Sequence, residues 1–411
     1  MRKIHKTDGN NQMMNRYLTV EIISILVVLT FTLSGCSLPI RQSAVPQQLT
    51  EKAEVVGMPG VRYVVRAEMP GFTRDAMESY YREQAYRAQQ SQVGALPPAN
   101  FLALSGGGDN GAFGSGLLSG WTATGNRPEF KGVTGISTGA LIAPFAFLGP
   151  KYDIPLKELF THSKPKDILK ARYFVAALFN DAMADDAPLA RLLKKHVTED
   201  MLKEIAREDA KGRLLMIATT NLDANQAVIW NMGKIAASGH PRALELFHKI
   251  MLASAAIPGT FPPVMIDVEA NGQRYQEMHV DGGARAQVFL YPPAIKVAEL
   301  SKQHGIVRER RLYLIRNARL DPDWAEVERR TLSIASRAVH SLIQTQGVGD
   351  LYKIYAQTQR DGIDFNLAFI PRSFNAPHKE EFDTEYMRQL FQTGYDLAVK
   401  GYLWEKTPPG L

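Results

Sequence analysis

Two stretches of this chain are built alike. FLALS (101–105) is a short apolar run that stops at GGGDNG (106–111) and continues into the small-residue segment AFGSGLLSGWTATG (112–125). KGVTGIS (131–137) likewise runs into TGALIAPFAFLG (138–149). A buried strand, a tight turn and a helix, repeated within about fifty residues, is the signature of a parallel βαβ unit. The turn after each strand then emerges at the same end of the sheet, because a parallel crossover returns the chain to its starting edge. Three consecutive glycines cost backbone entropy, so something approaches the main chain closely there.

The second turn is Gly135-Ile136-Ser137-Thr138-Gly139, a G-x-S-x-G between strand and helix. That context makes it a candidate nucleophile elbow, in which small neighbours permit a strained serine at a helix N-terminus. The first turn could then aim the N–H groups of Gly106, Gly107 and Gly108 at the oxygen of a carbonyl attacked by Ser137. Gly106 to Gly111 also satisfies G-x-G-x-x-G, the dinucleotide fingerprint, which needs an acid at the end of the following strand. Glu129 precedes KGVTGIS instead, and Ser137 occupies the strand end. A phosphate-cradling Gly-Lys-Ser/Thr is also missing, so neither nucleotide reading stands.

Further along, RLLMIATTNLD (213–223), AVIWNM (227–232), YQEMHVDGG (275–283), RRLYLIRN (310–317) and DFNLAFI (364–370) are expected strands. Helices are expected near 72–92, 188–197, from 241, over 323–360 and over 382–405. With 45% hydrophobic and 22% charged residues, the composition is that of a globular chain. The net charge of +6 is scattered, with no aromatic-interleaved basic stripe, so nucleic acid is not an expected partner. No metal-ligand spacing is present, and no cofactor is implied.

GGGDNG, GISTG, ASAAIPGTFPP and DGG, in that order, resemble the motifs of the patatin-like phospholipase family over about residues 99–295. The resemblance implies an α/β fold, a three-layer α/β/α sandwich around a central mostly parallel sheet with a helical C-terminal completion. It implies that Ser137 is the nucleophile, Asp281 its partner in a Ser–Asp dyad, and Gly106, Gly107 and Gly108 the oxyanion hole. Asn110 stands where the family often has a basic residue, and Gln287 where many members carry Asn. An aspartate is a weak base for a hydroxyl unless partly desolvated, and its acidic pKa would keep the dyad ionised over a broad range above neutral pH. His279, two positions before Asp281 on an expected strand, leaves the same face and is a candidate to tune it. Phe261, in the PGTFPPV run, is either a wall of an acyl pocket or part of a rigid turn over the core. A Ser-Asp-His triad would have to recruit His304, His340 or His378.

The N-terminus is basic, then apolar through LTVEIISILVVLTFTLSG (18–35), and ends Leu33-Ser34-Gly35-Cys36. It resembles the signal and lipobox of bacterial lipoproteins, which implies cleavage before Cys36 and lipidation of its thiol. With one cysteine in the chain, no internal disulfide competes for that thiol. Ser37 after it points to the outer membrane of a bacterial cell envelope. The alternative is an uncleaved N-terminal helix with an incidental thiol. The expected organisation is a signal over 1–35, a tether and surface helix over 36–97, a catalytic core over 98–300 and its C-terminal completion over 301–411. The expected activity is that of a membrane-anchored serine acyl hydrolase acting on lipid or ester substrates at a membrane surface. A non-catalytic envelope lipoprotein using the same fold as a scaffold is the competing expectation.

Overall fold

The computed structural model describes residues 41–92, 94–171, 181–322 and 324–411. The apolar segment, the lipobox and Cys36 lie outside the described residues. Among the described residues no helix is long and apolar enough to cross a membrane.

The strands, in chain order, are β1 (Glu54–Val55), β2 (Arg62–Val64), β3 (Ala99–Leu104), β4 (Gly132–Gly135), β5 (Lys170–Ala171), β6 (Ala184–Asp185), β7 (Leu214–Asn221), β8 (Gln226–Asn231), β9 (Val264–Ala270), β10 (Gln273–Asp281), β11 (Arg310–Arg316) and β12 (Asp364–Phe369). Strands β5 and β6 form a small separate pair, and the others one sheet in the order β1-β9-β10-β7-β4-β3-β11-β12, with β8 and β2 off β7. The centre, β7-β4-β3-β11-β12, is parallel. The flank through β10, β9 and β1 is antiparallel. The central strands read as continuous apolar runs because both faces are covered. Leu102 and Leu104 of β3 face one core with Phe113, Phe145 and Trp230, whereas Ala103 faces a second with Leu312, Leu314 and Ile354. Two cores separated by a sheet make three layers.

The principal helices are α1 (Pro70–Gln89), α2 (Gly111–Ala123), α3 (Thr138–Leu148), α4 (Ala243–Ser254), α5 (Thr331–Asp361) and α6 (Thr384–Val399). The C-terminal part completes the sheet, since β11 pairs with β3 and β12 with β11. The glycines of α2 serve helix packing. A Cβ on Gly116 would lie 2.0 Å from the Phe391 carbonyl of α6, and one on Gly120 2.4 Å from that of Tyr395. Gly394 answers from α6, where a Cβ would lie 2.4 Å from the Phe113 carbonyl. The two backbones meet with no side chain between them.

Within the segment expected as tether and surface helix, 36–97, residues 53–64 join the sheet and core. Ala53, Val55, Met58 and Val61 are buried in the core, and β1 and β2 pair with β9 and β8. Helix α1 is polar yet held: its buried Asp75 accepts from Lys234 Nζ at 2.6 Å and from the Tyr63 hydroxyl. These two-to-three-residue strands carry too few residues for an alternation to show. Gly116→Ala should lower stability by about 1–3 kcal/mol, the usual cost of overpacking, read as a lower denaturation midpoint. Ser119→Ala, on the half-buried side of the same helix, should change it little.

Candidate active site

Register brings the two turns together. Phe101 pairs with Gly132 and Leu104 with Gly135, so the chain leaves β3 and β4 at one edge, side by side. Gly135 pairs in turn with Ile217 of β7, and Asp281 of β10 pairs with Thr219. Two residues past Gly135, Ser137 therefore lies level with Asp281 across β7. The Ser137 hydroxyl faces the Asp281 carboxylate closely enough to favour its anion, and Asp281 Oδ1 accepts from the Gly283 N–H at 2.6 Å.

Ser137 has φ 55° and ψ −127°, a conformation a non-glycine residue adopts only under constraint. The elbow's glycines explain how it is held. A Cβ on Gly135 would lie 2.5 Å from the Gly139 carbonyl, and one on Gly139 2.3 Å from that of Leu104. Ser254, at the end of α4, accepts from the Ser137 N–H at 3.0 Å and donates to the Ala218 carbonyl at 2.8 Å. The Asp281 N–H donates to the Ala256 carbonyl at 2.9 Å. The ASAAIPG motif thus ties both residues of the pair from one turn. Its serine was within reach of the sequence, because it belongs to one of the ordered motifs.

The glycine loop sits against the serine, since a Cβ on Gly106 would lie 3.1 Å from the Ser137 Cβ. Its donors are fewer than expected. The Gly106 N–H is committed to the Gln287 carbonyl at 2.9 Å, which removes it from the donor set. The N–H groups of Gly107 and Gly108 meet no acceptor among the described residues. Gly107 passes so close to Asn317 that a Cβ would lie 2.0 Å from its carbonyl, and Gly108 has φ 58°. Thr138, buried beside Ser137, has a hydroxyl with no hydrogen-bond partner among the described residues.

An apolar cavity opens over Ser137 and Gly108, lined by Leu141, Phe160, Leu189, Phe261, Phe382 and Met387 among others. Phe261 is therefore a wall of this cavity. Phe382 and Met387 come from a distant stretch of chain, and no local pattern in the sequence marks them. The loop's polar residues are clamped from the same region: Asp109 accepts from His378 Nε2 at 2.6 Å and from the Phe382 N–H at 3.0 Å, and Asn110 accepts from the Tyr386 hydroxyl at 2.6 Å.

The histidines lie away from the pair. His304 approaches Tyr81, His340 is exposed on α5 and His378 is on Asp109, so none takes the place of a triad member beside Asp281. His279 does not touch Asp281 either. Trp230 Nε1 donates to Thr219 Oγ1, leaving the threonine hydroxyl to donate to His279 Nδ1 at 2.8 Å. His279 Nε2 then donates to Glu277 at 3.0 Å, and Glu277 pairs with Arg62. Burial lowers the His279 pKa, so the ring is neutral in this chain of bonds. Burial alone would raise Glu277, but His279 and Arg62 together bring it to about 2. The imidazole belongs to this buried network, which holds the strand carrying Asp281.

Asp281 is the perturbed group of the site. Burial pushes its carboxyl up to about 7, against the bonds from Ser137 and Gly283 that favour the anion. It is ionised above neutral pH, as expected from sequence, but the transition lies near 7 instead of in the acid range.

A central parallel sheet with a strained serine between strand and helix, a buried carboxylate on its hydroxyl and open N–H groups at its side defines the chain as an α/β protein of nucleophile-elbow type. Residues 102–293 match the family model Patatin-like phospholipase. Among solved structures it is similar to VipD from Legionella pneumophila, at 12% identity and a TM-score of 0.37, over 74% of this chain and 67% of that one. It is also similar to full-length ExoU of Pseudomonas aeruginosa, solved in complex with SpcU, at 10% identity and a TM-score of 0.31, over 75% of this chain and 52% of that one. No curated protein matches the chain by sequence.

The Asp281 shift fixes a sign for stability. A folded-state pKa of about 7, well above the ordinary aspartate value, favours the neutral acid in the fold. That contribution is complete below about pH 4 and is lost as pH rises through 7. Asp281→Asn keeps an oxygen for the Gly283 N–H and carries no charge. Its unfolding free energy should exceed that of the native chain at pH 8 by about a few kcal/mol, read from denaturant titration, and match it near pH 4.

Proposed function

We propose that the chain is a serine acyl hydrolase that cleaves carboxylic esters of lipids through an acyl-Ser137 intermediate, with Asp281 as base. The observation that carries this reading is the placement of Ser137 level with Asp281 across β7, in a buried site where the carboxyl is pushed up to about 7. A carboxylate so poised is a far better base than one in water and is ionised in part at neutral pH. Asp281 takes the hydroxyl proton as Ser137 Oγ adds to the ester carbonyl. The N–H groups of Gly107 and Gly108 receive the oxyanion, each worth roughly 3 kcal/mol where well placed. Collapse breaks the ester C–O bond, and Asp281 returns the proton to the leaving alcohol. Water, activated in the same way, then releases the acid and frees Ser137.

The lipid class of the substrate rests on the family match and on the apolar cavity beside Ser137. The Cys36 lipidation is a proposal of the same standing: it would confine the enzyme to a bacterial envelope membrane, the outer one by the Ser37 signal, where enzyme and lipid meet on one surface.

A fluorophosphonate probe should place an adduct on Ser137, located by peptide mass spectrometry, and Asp281→Asn should lower labelling and ester turnover by about 10²–10⁴-fold. Turnover should rise with pH through an apparent pKa of about 7, the active form being the carboxylate. His279→Gln should lower stability while leaving that pKa in place, since His279 does not touch Asp281. A folded protein that takes no adduct, with or without detergent, would refute the hydrolase reading and leave the fold as a scaffold.

A further inference from the structure

Gln287 follows the turn that carries Asp281, and all but one of its polar groups are engaged. Its N–H donates to the Asp350 carboxylate of α5 at 2.7 Å, and its carbonyl accepts from the Gly106 N–H at 2.9 Å. Its Nε2 donates to the Gly283 carbonyl at 2.8 Å and to Gln346 Oε1, also of α5, at 3.1 Å. A carbonyl oxygen can face only the NH2 end of an amide, so the first of these bonds fixes which way the group points. The remaining acceptor, Oε1, meets no donor among the described residues and is not sealed from solvent. It lies beside the reacting pair. The point where a Cβ on Gly106 would stand is 3.2 Å from Gln287 Oε1, 3.1 Å from Ser137 Cβ and 3.7 Å from Ser137 Oγ. The corresponding point on Gly283 is 3.5 Å from Oε1 and 3.0 Å from Asp281 Oδ1. Two glycines thus keep side-chain carbon out of the space between this acceptor and both members of the pair. A pinned acceptor with nothing to accept, beside a nucleophile and its base, suits an O–H that arrives during the reaction.

We infer that Gln287 is a catalytic residue of deacylation: its Oε1 holds the water that releases the acyl group from Ser137 and so selects water over other acceptors. This rests on the proposed hydrolase chemistry and names the acceptor in its second half. Water differs from the other oxygens that pass through the site in having a second O–H. As the water oxygen adds to the acyl carbon, one proton passes to the Asp281 carboxylate and the other O–H donates to Gln287 Oε1. Collapse breaks the bond between the acyl carbon and Ser137 Oγ, and Asp281 returns its proton to Oγ. The second hydrogen leaves on the carboxylic acid. In acylation, by contrast, the departing alcohol oxygen needs only the proton that Asp281 gives it. An alcohol attacking the acyl-enzyme spends its one O–H on Asp281 and has none left for Gln287.

The test measures where the acyl group goes. The full chain is given p-nitrophenyl butyrate in water containing methanol, and the methyl ester and free acid formed are quantified. Their ratio is set after acylation, and both acceptors use Asp281. It therefore does not depend on how fast Ser137 is acylated or on how much of Asp281 is ionised. Gln287→Met, close in shape but without the acceptor, should raise the ratio of ester to acid about tenfold, the worth of one hydrogen bond. The burst of nitrophenolate from acylation should be kept. Gln287→Glu keeps an acceptor, removes the Nε2 donor, and should hold the ratio near that of the native chain. Gln287→Asn, which draws the oxygen back by one methylene, should raise it as well and serves if the methionine variant does not fold. An unchanged ratio, with burst and turnover falling together, would overturn the proposal and leave Gln287 as a support of the two loops. A ratio raised equally by Gln287→Glu would also overturn it, assigning the effect to the lost Nε2 bonds. A native chain that shows no burst and takes no fluorophosphonate adduct refutes the hydrolase reading and this inference with it, a result distinct from either of those.

Discussion

The Ser137–Asp281 contact is the constraint on which the rest of the architecture depends. Its two residues come from strands that are not neighbours, β4 and β10, with β7 between them. Bringing a hydroxyl from one to a carboxylate on the other requires the turn after β4 to reach over the end of β7. That reach is possible because Ser137 adopts a strained backbone, and the strain persists because glycines on either side allow the main chains to close around it. Ser254 and Ala256 then bind the two halves from the same loop. The parallel centre positions the serine, and the antiparallel flank delivers the acid.

Burial does the chemical work. An aspartate in water is too acidic to draw a proton from a hydroxyl, whereas one enclosed at the end of β10 is raised to about 7. The same enclosure that raises it also makes the charged form costly to the fold, so stability and reactivity are opposed at this residue. The network Arg62–Glu277–His279–Thr219–Trp230 shows the other way to bury charge, with each polar group answered by the next. One end of β10 is satisfied and inert, and the other is left partly unsatisfied.

The glycines illustrate how a single residue type serves separate ends. Those of G-x-S-x-G allow close main-chain contact around the elbow. In the glycine loop, Gly106 makes room for the Ser137 side chain while its own N–H is taken, and Gly107 and Gly108 keep theirs open. Those of α2 admit a second helix, α6, which with the residues just ahead of it brings Met387 and Phe382 over the cavity. Composition alone does not separate these uses, because the reason for each lies in the atom that a Cβ would strike.

By itself the sequence determined the local grammar: strand, turn and helix twice over, the serine at the second turn, the aspartate at the end of a later strand, and the order of the motifs. These follow from short-range patterns, since alternation, glycine placement and apolar runs act within a few residues of where they are read. What only the tertiary structure decided depends on partners far apart in the chain. Gly106 lost its donor role to a carbonyl of residue 287, and His279 turned out to answer Glu277 and Thr219 instead of Asp281. Residues 54–55 and 62–64, ahead of the first βαβ unit, found sheet partners in β9 and β8, far along the chain. The transition of Asp281 moved to neutral pH because desolvation is a property of everything packed around a group, and no window of sequence contains that.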